Sequence, residues 1–242
     1  MENKKSIHQK LLNITFIALF AALCYIALTV FFFPFAHMYI HFGNLIVVAA
    51  ALLIGGWQGG LAGSIGMGLY DILNGHIDSS PKTFILKFLI GLTVGLVYTF
   101  FKSRKKYPSL ALLVAGIVSL LLAVALGIYM AVTHTAGKSA VLCPIFAVIG
   151  LLCITFSLLH TKLSAKTASA VVGASCGMLI NIAGEILWKI AQYSLAGSAF
   201  GAAVASALLE QGSTLINAGI AIVGGVALFC VLEKPISKLA AR

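Results

Sequence analysis

Two charged residues flank a loop between apolar segments in the stretch MGLYDILNGHIDSSPKTFILKFLIGL (67–92). Asp71 lies near the end of one apolar run, and Lys87 lies just inside the next. A charge inside a membrane segment is expensive, so it normally has a partner and often a function. We expect Lys87 to contact the polar edge of a small ligand, and Asp71 to balance its charge and order the loop 74–83. In the alternative, Asp71 caps that loop or pairs with Lys87.

Further polar and aromatic side chains fall at a similar depth. Because a helix rises 1.5 Å per residue, most of them lie within roughly 12 Å of the same membrane boundary. In each apolar segment, the half that lies nearer the opposite membrane boundary is almost purely apolar. The polar layer comprises Asn44, Asp71, Asn74, Lys87, Asn181, Glu185, Trp188, Lys189, Tyr193, Glu210, Gln211 and Asn217.

This layer predicts a binding site that opens to one side of the membrane. Trp188 and Tyr193 would stack on a flat heterocycle, while polar side chains would fix its edge. The predicted substrate-binding residues are Asn44, Asp71, Lys87, Asn181, Glu185, Trp188, Tyr193, Gln211 and Asn217.

Each member also has a structural interpretation. Glu185 and Lys189 are four residues apart in the favourable order, so they could pair along one helix. Lys87 and Lys189 could extend to the membrane interface. Asn44 could satisfy backbone groups at a helix start.

The composition places these residues in a membrane protein. Of the 242 residues, 61% are hydrophobic and 9% are charged, far below the roughly 25% charged residues of soluble domains. No stretch is polar enough for a separate soluble domain, so residues 1–242 form one integral membrane domain. The net charge of +10 comes from short clusters between apolar runs, which is typical of topology signals rather than nucleic-acid binding.

The residue patterns that carry common chemistry are missing. The sequence has no Walker loop, HExxH or GxSxG motif, which argues against an enzyme. His37 and His41 are four apart, but two histidines without a third ligand predict an interfacial loop rather than a metal site. The five cysteines lie in apolar runs and predict buried small side chains. We expect no cofactor and no metal.

Eight apolar segments must position the polar layer: 11–33, 43–56, 58–74, 82–101, 108–132, 140–160, 168–193 and 205–232. The second and third are short enough for a re-entrant hairpin. With the N-terminus inside, twelve of the sixteen basic residues lie in inside loops or termini: Lys4, Lys5, Lys10, Lys102, Arg104, Lys105, Lys106, Lys162, Lys166, Lys234, Lys238 and Arg242. The positive-inside rule therefore predicts eight crossings with both termini cytoplasmic and the polar layer outside.

Small residues recur four apart, a spacing that lets helix backbones approach closely. For most pairs this predicts packing inside the bundle. The pairs are Ala18/Ala22, Gly56/Gly60, Gly59/Gly63, Gly91/Gly95 and Gly173/Gly177.

Several stretches resemble the substrate-binding S component of energy-coupling factor (ECF) vitamin transporters, most closely the riboflavin-type subfamily. The most specific is HFGNLIVVAAALLIGGWQGGLAGSIGMGLYDILNG followed by PKTFILKFLIGLTVGLVY. GASCGMLINIAGEILWKIAQYSLAG resembles the family's penultimate helix and loop, and GAAVASALLEQGSTLINAGIAIVGGVAL resembles its last helix. The resemblance covers about residues 11–101 and 168–232.

The resemblance implies an all-α membrane bundle that captures a vitamin-like compound from outside, for uptake driven by an ATPase pair and a shared transmembrane subunit. It implies a bacterial plasma-membrane protein in which Ala18 and Ala22 dock on that subunit. Lys87 matches the lysine that opens the fourth helix. Asn181, Glu185 and Trp188 fall on the pocket-lining helix, and Gln211 and Asn217 fall on the last.

The chain departs from the usual six spans, since 108–160 resembles an added helical pair between the two parts of the core. The substrate therefore stays open among riboflavin, a vitamin B6 form, a thiamine precursor, pantothenate and a queuosine precursor. A stand-alone membrane facilitator or small membrane enzyme is the alternative function. A facilitator should carry polar groups through both halves of the bilayer, whereas this sequence has them mostly in one.

Overall fold

The computed structural model of the protein describes residues 2–35, 38–104, 109–133, 163–240 and part of 143–158. Its α-helices are α1 (Glu2–Val30), α2 (Gly43–Ile54), α3 (Gly56–Leu73), α4 (Ser80–Arg104), α5 (Ser109–Thr133), α6 (Ala165–Leu195), α7 (Phe200–Leu209) and α8 (Gly212–Ala240). A 3₁₀ turn, Ile77–Ser79, precedes α4. The expected all-α, polytopic membrane bundle is confirmed.

A short β-hairpin follows α1, where the sequence predicted helix to residue 33. Strands β1 (Phe32–Phe35) and β2 (Met38–His41) are antiparallel, with Phe32 opposite His41. Pro34 explains the early end of α1, because a proline ring in a helix clashes with the carbonyl four residues back, here that of Val30. The ring of Phe32 stacks on that of Tyr39 at 4.7 Å between centroids, a cross-strand pair that stabilises the hairpin.

Several of the predicted small-residue pairs bring α3 and α4 into backbone contact. A Cβ added at Gly91 would lie 2.4 Å from Cα of Gly60, and one added at Gly95 would lie 2.3 Å from Cα of Gly56. Only glycine permits this approach, so Gly56/Gly60 and Gly91/Gly95 pack inside the bundle as predicted.

The other two glycine pairs also face neighbouring helices. A Cβ at Gly59 would meet the backbone of Ala51 on α2, and one at Gly177 would meet Val94 on α4. The main apolar core lies between these helices and α8, and its largest fully buried side chains include Ile90, Met178 and Phe229.

The two ends of the bundle differ in character. At one end lie the hairpin, the starts of α2, α4 and α8 and the ends of α3 and α6; we call it the hairpin end. The opposite end holds the end of α4, the start of α6 and the end of α8, where Lys166 pairs with Glu233. An open cleft of about 390 Å³ lies there, lined by residues that include Leu52, Tyr98, Lys102 and Phe229.

Four described helices are long and apolar enough to cross a membrane: Ile7–Val30, Ile77–Ser103, Ala165–Leu195 and Gly212–Leu239. The twelve residues of α2 span only about 18 Å, well short of the roughly 30 Å hydrocarbon core. The predicted span 205–232 is instead two helices, because α7 ends at Leu209 and α8 begins at Gly212.

The predicted span 140–160 lies mostly outside the described residues. Its described residue Cys143 donates from Sγ to the carbonyl oxygen of Ala123 on α5, at 3.2 Å. The two segments of the proposed helical pair therefore touch at this point.

Candidate functional site

A buried lysine links α4 and α6 near the hairpin end. Lys87 Nζ donates to Asn181 Oδ1 at 2.9 Å, and the two residues are only 4% and 2% exposed. Lys87 lies about 10 Å along α4 from its first residue. This burial excludes the alternative in which Lys87 extends to the membrane interface.

An ion pair lies above Lys87 on the same two helices. Lys82 Nζ contacts both carboxylate oxygens of Glu185, at 2.8 and 3.1 Å. Lys82 precedes Lys87 by five residues, whereas Glu185 follows Asn181 by four, as expected for antiparallel neighbours. The ion pair therefore lies about 6–8 Å closer to the hairpin end than the Lys87–Asn181 contact.

A second ion pair ties α6 to the end of α7. Lys189 Nζ contacts Glu210 Oε2 at 2.6 Å, and the Tyr193 hydroxyl donates to Glu210 Oε1. The alternative in which Glu185 and Lys189 pair along one helix is thus excluded, because each forms its ion pair with another element. Glu210 lies at the break between α7 and α8 rather than inside a span.

Asn217 joins α8 to the hairpin. The backbone N–H of His41 donates to Asn217 Oδ1, and Asn217 Nδ2 donates to the carbonyl oxygen of Tyr39, each at 3.0 Å. The Asn217 amide thereby satisfies backbone groups at the end of β2. Its place in the predicted polar layer is as expected, but both of its polar atoms are occupied by the hairpin.

Several buried polar atoms near this end have no hydrogen-bond partner among the described residues. They are His41 Nδ1, Asn44 Oδ1, Trp188 Nε1 and Gln211 Oε1. The other end of the Gln211 amide donates to the carbonyl of Ala207 at 2.8 Å. A buried polar atom without a partner costs free energy, so these atoms are candidates for ligand contacts.

The structure excludes two of the structural alternatives for single residues. Asn44 does not cap α2, since the N-cap residue is Phe42 and no side chain makes the capping bond. Asp71 is half-buried on α3 and forms no ion pair with Lys87 in the described part of the chain. Lys87 instead uses the neutral amide of Asn181.

Sequence reasoning missed two residues of the site. Lys82 was assigned to a loop, and His41 to an interfacial loop. His41 is half-buried with its Nδ1 shielded from solvent, and burial first and then the nearby Lys87, opposed by Glu185, lower its pKa to about 3. His41 is therefore neutral at physiological pH. Helical spacing gave no signal for Lys82, since five residues place it about 140° around the helix from Lys87. His37 lies outside the described residues.

The side chains of this end can contact a small molecule through amide, ammonium and aromatic groups. In the described part of the chain, no three His, Cys, Asp or Glu side chains form a group suited to a metal ion. The polar groups converge at one end of an apolar bundle, where aromatic and amide side chains can orient a ligand.

Ala18 and Ala22, the predicted docking pair, lie on the exposed face of α1. The opposite face packs into the bundle, where a Cβ added at Gly66 would lie 2.2 Å from the carbonyl oxygen of Ala21. The alanine pair is therefore not used for packing inside the described part of the chain.

The family model described as "ECF-type riboflavin transporter, S component" matches residues 8–150. The match runs through most of α1, the hairpin and α2–α5, and it ends before α6, α7 and α8. Comparison with curated proteins and with solved structures gave no match. Because the family model covers more than half of the sequence, the chain belongs to the ECF-type riboflavin transporter S-component family, whose members are membrane subunits for vitamin uptake.

Proposed function

We propose that this chain captures a small water-soluble vitamin or vitamin precursor at the hairpin end and delivers it through an ATP-driven ECF importer. The observation that carries the proposal is the convergence of polar groups at one end of an apolar bundle. Lys87 and Asn181 are buried there, and four further buried polar atoms have no hydrogen-bond partner among the described residues. A bound ligand would satisfy these groups and explain why they are tolerated in the bundle.

The ligand would lie between α4, α6 and the hairpin. Trp188 and Tyr193 offer aromatic surface for a flat heterocycle, and Trp188 Nε1 offers a free donor. Asn44 and Gln211 each offer a free oxygen. Glu185 would act indirectly, since its carboxylate is held by Lys82, and Asn217 would hold the hairpin over the ligand.

The hairpin end would face the outside, with both termini in the cytoplasm of a bacterial cell. The concentration of lysine and arginine in the loops of the opposite end supports this orientation. Ligand capture would then occur from the medium, and release would require the shared transmembrane subunit and the ATPase pair.

The exposed face of α1 would dock on that shared subunit. Ala18 and Ala22 are four residues apart on this face, and small side chains at this spacing allow a partner helix to approach closely. The surface is apolar, as a helix interface within lipid requires.

The experiment compares ligand binding with uptake. Native mass spectrometry of the purified protein would identify a co-purified ligand, and its uptake would be measured in cells that express the shared subunit and the ATPases. Ala18→Trp and Ala22→Trp should abolish uptake and leave binding by the isolated protein nearly intact. Ala131→Trp, at an exposed alanine of α5, is the matched control and should preserve both.

Two results would contradict the proposal. Uptake that continues without the ATPase pair would favour a stand-alone facilitator. Equal loss of binding and uptake in the α1 variants, with Ala131→Trp normal, would assign Ala18 and Ala22 to internal packing instead of docking.

A further inference from the structure

The charge balance around Lys87 restricts the chemical class of the ligand. Lys87 is 4% exposed, and among the described residues its ammonium donates only to the neutral oxygen of Asn181. A buried ammonium is strongly destabilising unless an opposite charge lies against it. A carboxylate from the bundle or from a ligand should therefore lie against Lys87, and the acidic residues of this end are Asp71, Asp78, Glu185 and Glu210.

Glu185 interacts electrostatically with Lys87, but its direct ion-pair partner is Lys82. Both of its oxygens contact Lys82, and its side chain and that of Lys82 are equally shielded, each 17% exposed. Glu210 is likewise held by Lys189 and Tyr193.

Asp71 is the remaining acidic residue of this end that is not fully exposed. It is half-buried on α3 and has no ion pair within 4.0 Å in the described part of the chain. Its carboxylate acts on Lys87 only from beyond ion-pair distance. His41, Cys24 and Tyr70 add no charge at neutral pH, since the pKa of His41 is lowered to about 3 and thiols and phenols ionise well above pH 7.

Among the described residues, Lys87 therefore has no carboxylate within ion-pair distance, and Glu185 and Asp71 act on it only from further away. Independent of this charge, four buried polar atoms have no hydrogen-bond partner in the described part of the chain and could accept or donate to a ligand: His41 Nδ1, Asn44 Oδ1, Trp188 Nε1 and Gln211 Oε1. These groups are uncharged, so they suit the neutral part of a ligand and leave Lys87 as the site for its charge.

We infer that the ligand is a monoanion whose carboxylate binds Lys87 Nζ, while the neutral amides and Trp188 bind the rest of the molecule. One ammonium matches one carboxylate. A phosphate monoester carries about 1.5 to 2 negative charges at pH 7 and would leave a surplus negative charge in the bundle. This inference rests on the proposed function, since it names the substrate class of the same site.

The test uses pairs of compounds that differ only in charge. Purified protein would be titrated by calorimetry with nicotinate and nicotinamide, pantothenate and pantothenol, and biotin and biotinamide, with riboflavin as an uncharged flat vitamin. At least one carboxylate should bind at least about 30-fold more tightly than its neutral partner, as expected when a desolvated charge loses its partner.

Two lysine variants test whether Lys87 causes the preference for the carboxylate over its neutral partner. Lys87→Met should reduce the preference for the carboxylate to less than about threefold. Lys102→Met, the same replacement at the other end of α4, should leave the preference unchanged, because Lys102 lies in the cleft at the opposite end. If Lys87→Met does not fold, Lys87→Met combined with Asn181→Leu replaces both partners by apolar groups of similar size and should fold.

The inference is overturned if riboflavin or another neutral compound binds more tightly than every carboxylate, if no carboxylate binds, or if Lys87→Met keeps the preference. Tight binding of a neutral vitamin would leave the proposed function intact. If no small molecule binds, whether added or co-purified, this result would instead contradict the proposed function itself.

Discussion

Glu185 and Lys189 lie one turn apart on α6, and each forms an ion pair with a different neighbouring element. Glu185 binds Lys82 at the start of α4, whereas Lys189 binds Glu210 at the end of α7. The two pairs fix α6 between its neighbours at the hairpin end. Their environments differ, since the first pair is 17% exposed on both sides and the second is 25% and 42% exposed.

The difference in exposure predicts unequal costs for two similar substitutions. Lys82→Met should lower the free energy of unfolding by roughly 3 kcal/mol, because it leaves the Glu185 carboxylate shielded and unpaired. Lys189→Met should cost about 1 kcal/mol or less, because solvent screens Glu210. Denaturant unfolding in detergent would measure both, and equal costs would show that the Lys82–Glu185 pair behaves as a surface pair.

The α3–α4 contact gives a prediction about helix packing. Gly91→Ala should destabilise the protein by about 1–3 kcal/mol, since the new Cβ would lie 2.4 Å from Cα of Gly60 and the helices must separate. Gly219→Ala on α8 is the control, because its Cβ would meet nothing within 4 Å. Alanine there should stabilise the helix by up to about 1 kcal/mol. Similar thermal stability of the two variants would contradict the close α3–α4 approach.

The sequence predicted those features that depend on one helix at a time. The apolar segments, the small-residue pairs of α3 and α4 and the depth of Lys87 follow from composition and spacing. The partners of Glu185 and Lys189 do not, because helical spacing alone allowed them to bind each other. The hairpin was also missed, since FFFPF continues an apolar run and only Pro34 marks the end of α1.

His41 predicts a pH dependence of stability. The folded protein keeps His41 neutral with a pKa of about 3, whereas an unfolded histidine has a pKa of about 6.5. Between these values the unfolded chain binds more protons, so stability falls as the pH falls. Lowering the pH from 7 to 4.5 should reduce the melting temperature of wild type more than that of His41→Gln.

The control for this prediction is His76→Gln, at an exposed histidine of the loop after α3. It should retain the full wild-type pH dependence, which separates the effect of His41 from that of the carboxylates and the detergent. Identical pH profiles for wild type and His41→Gln would show that His41 is accessible to solvent.

The orientation of the bundle predicts which engineered cysteines react from outside. On a background without native cysteines, Arg104→Cys and Ser164→Cys should react with a membrane-impermeant reagent after the cells are opened and not before, because basic loops face the cytoplasm. Asp78→Cys, in the exposed turn before α4, should react in intact cells. Labelling of position 104 or 164 in intact cells would contradict the predicted orientation or the predicted number of crossings.

The proposed helical pair 108–160 gives the last prediction. Its described helix α5 carries no charged residue, and the polar side chains of the site come from the hairpin end of α2, α4, α6 and α8. A variant that joins residue 106 directly to residue 166 should therefore fold and bind the co-purified ligand within tenfold of wild type, as measured by calorimetry. Fluorescence-detected size-exclusion chromatography would establish folding first. A folded variant with a larger loss of affinity would place part of the binding site on the pair and would also explain why the family match continues to residue 150.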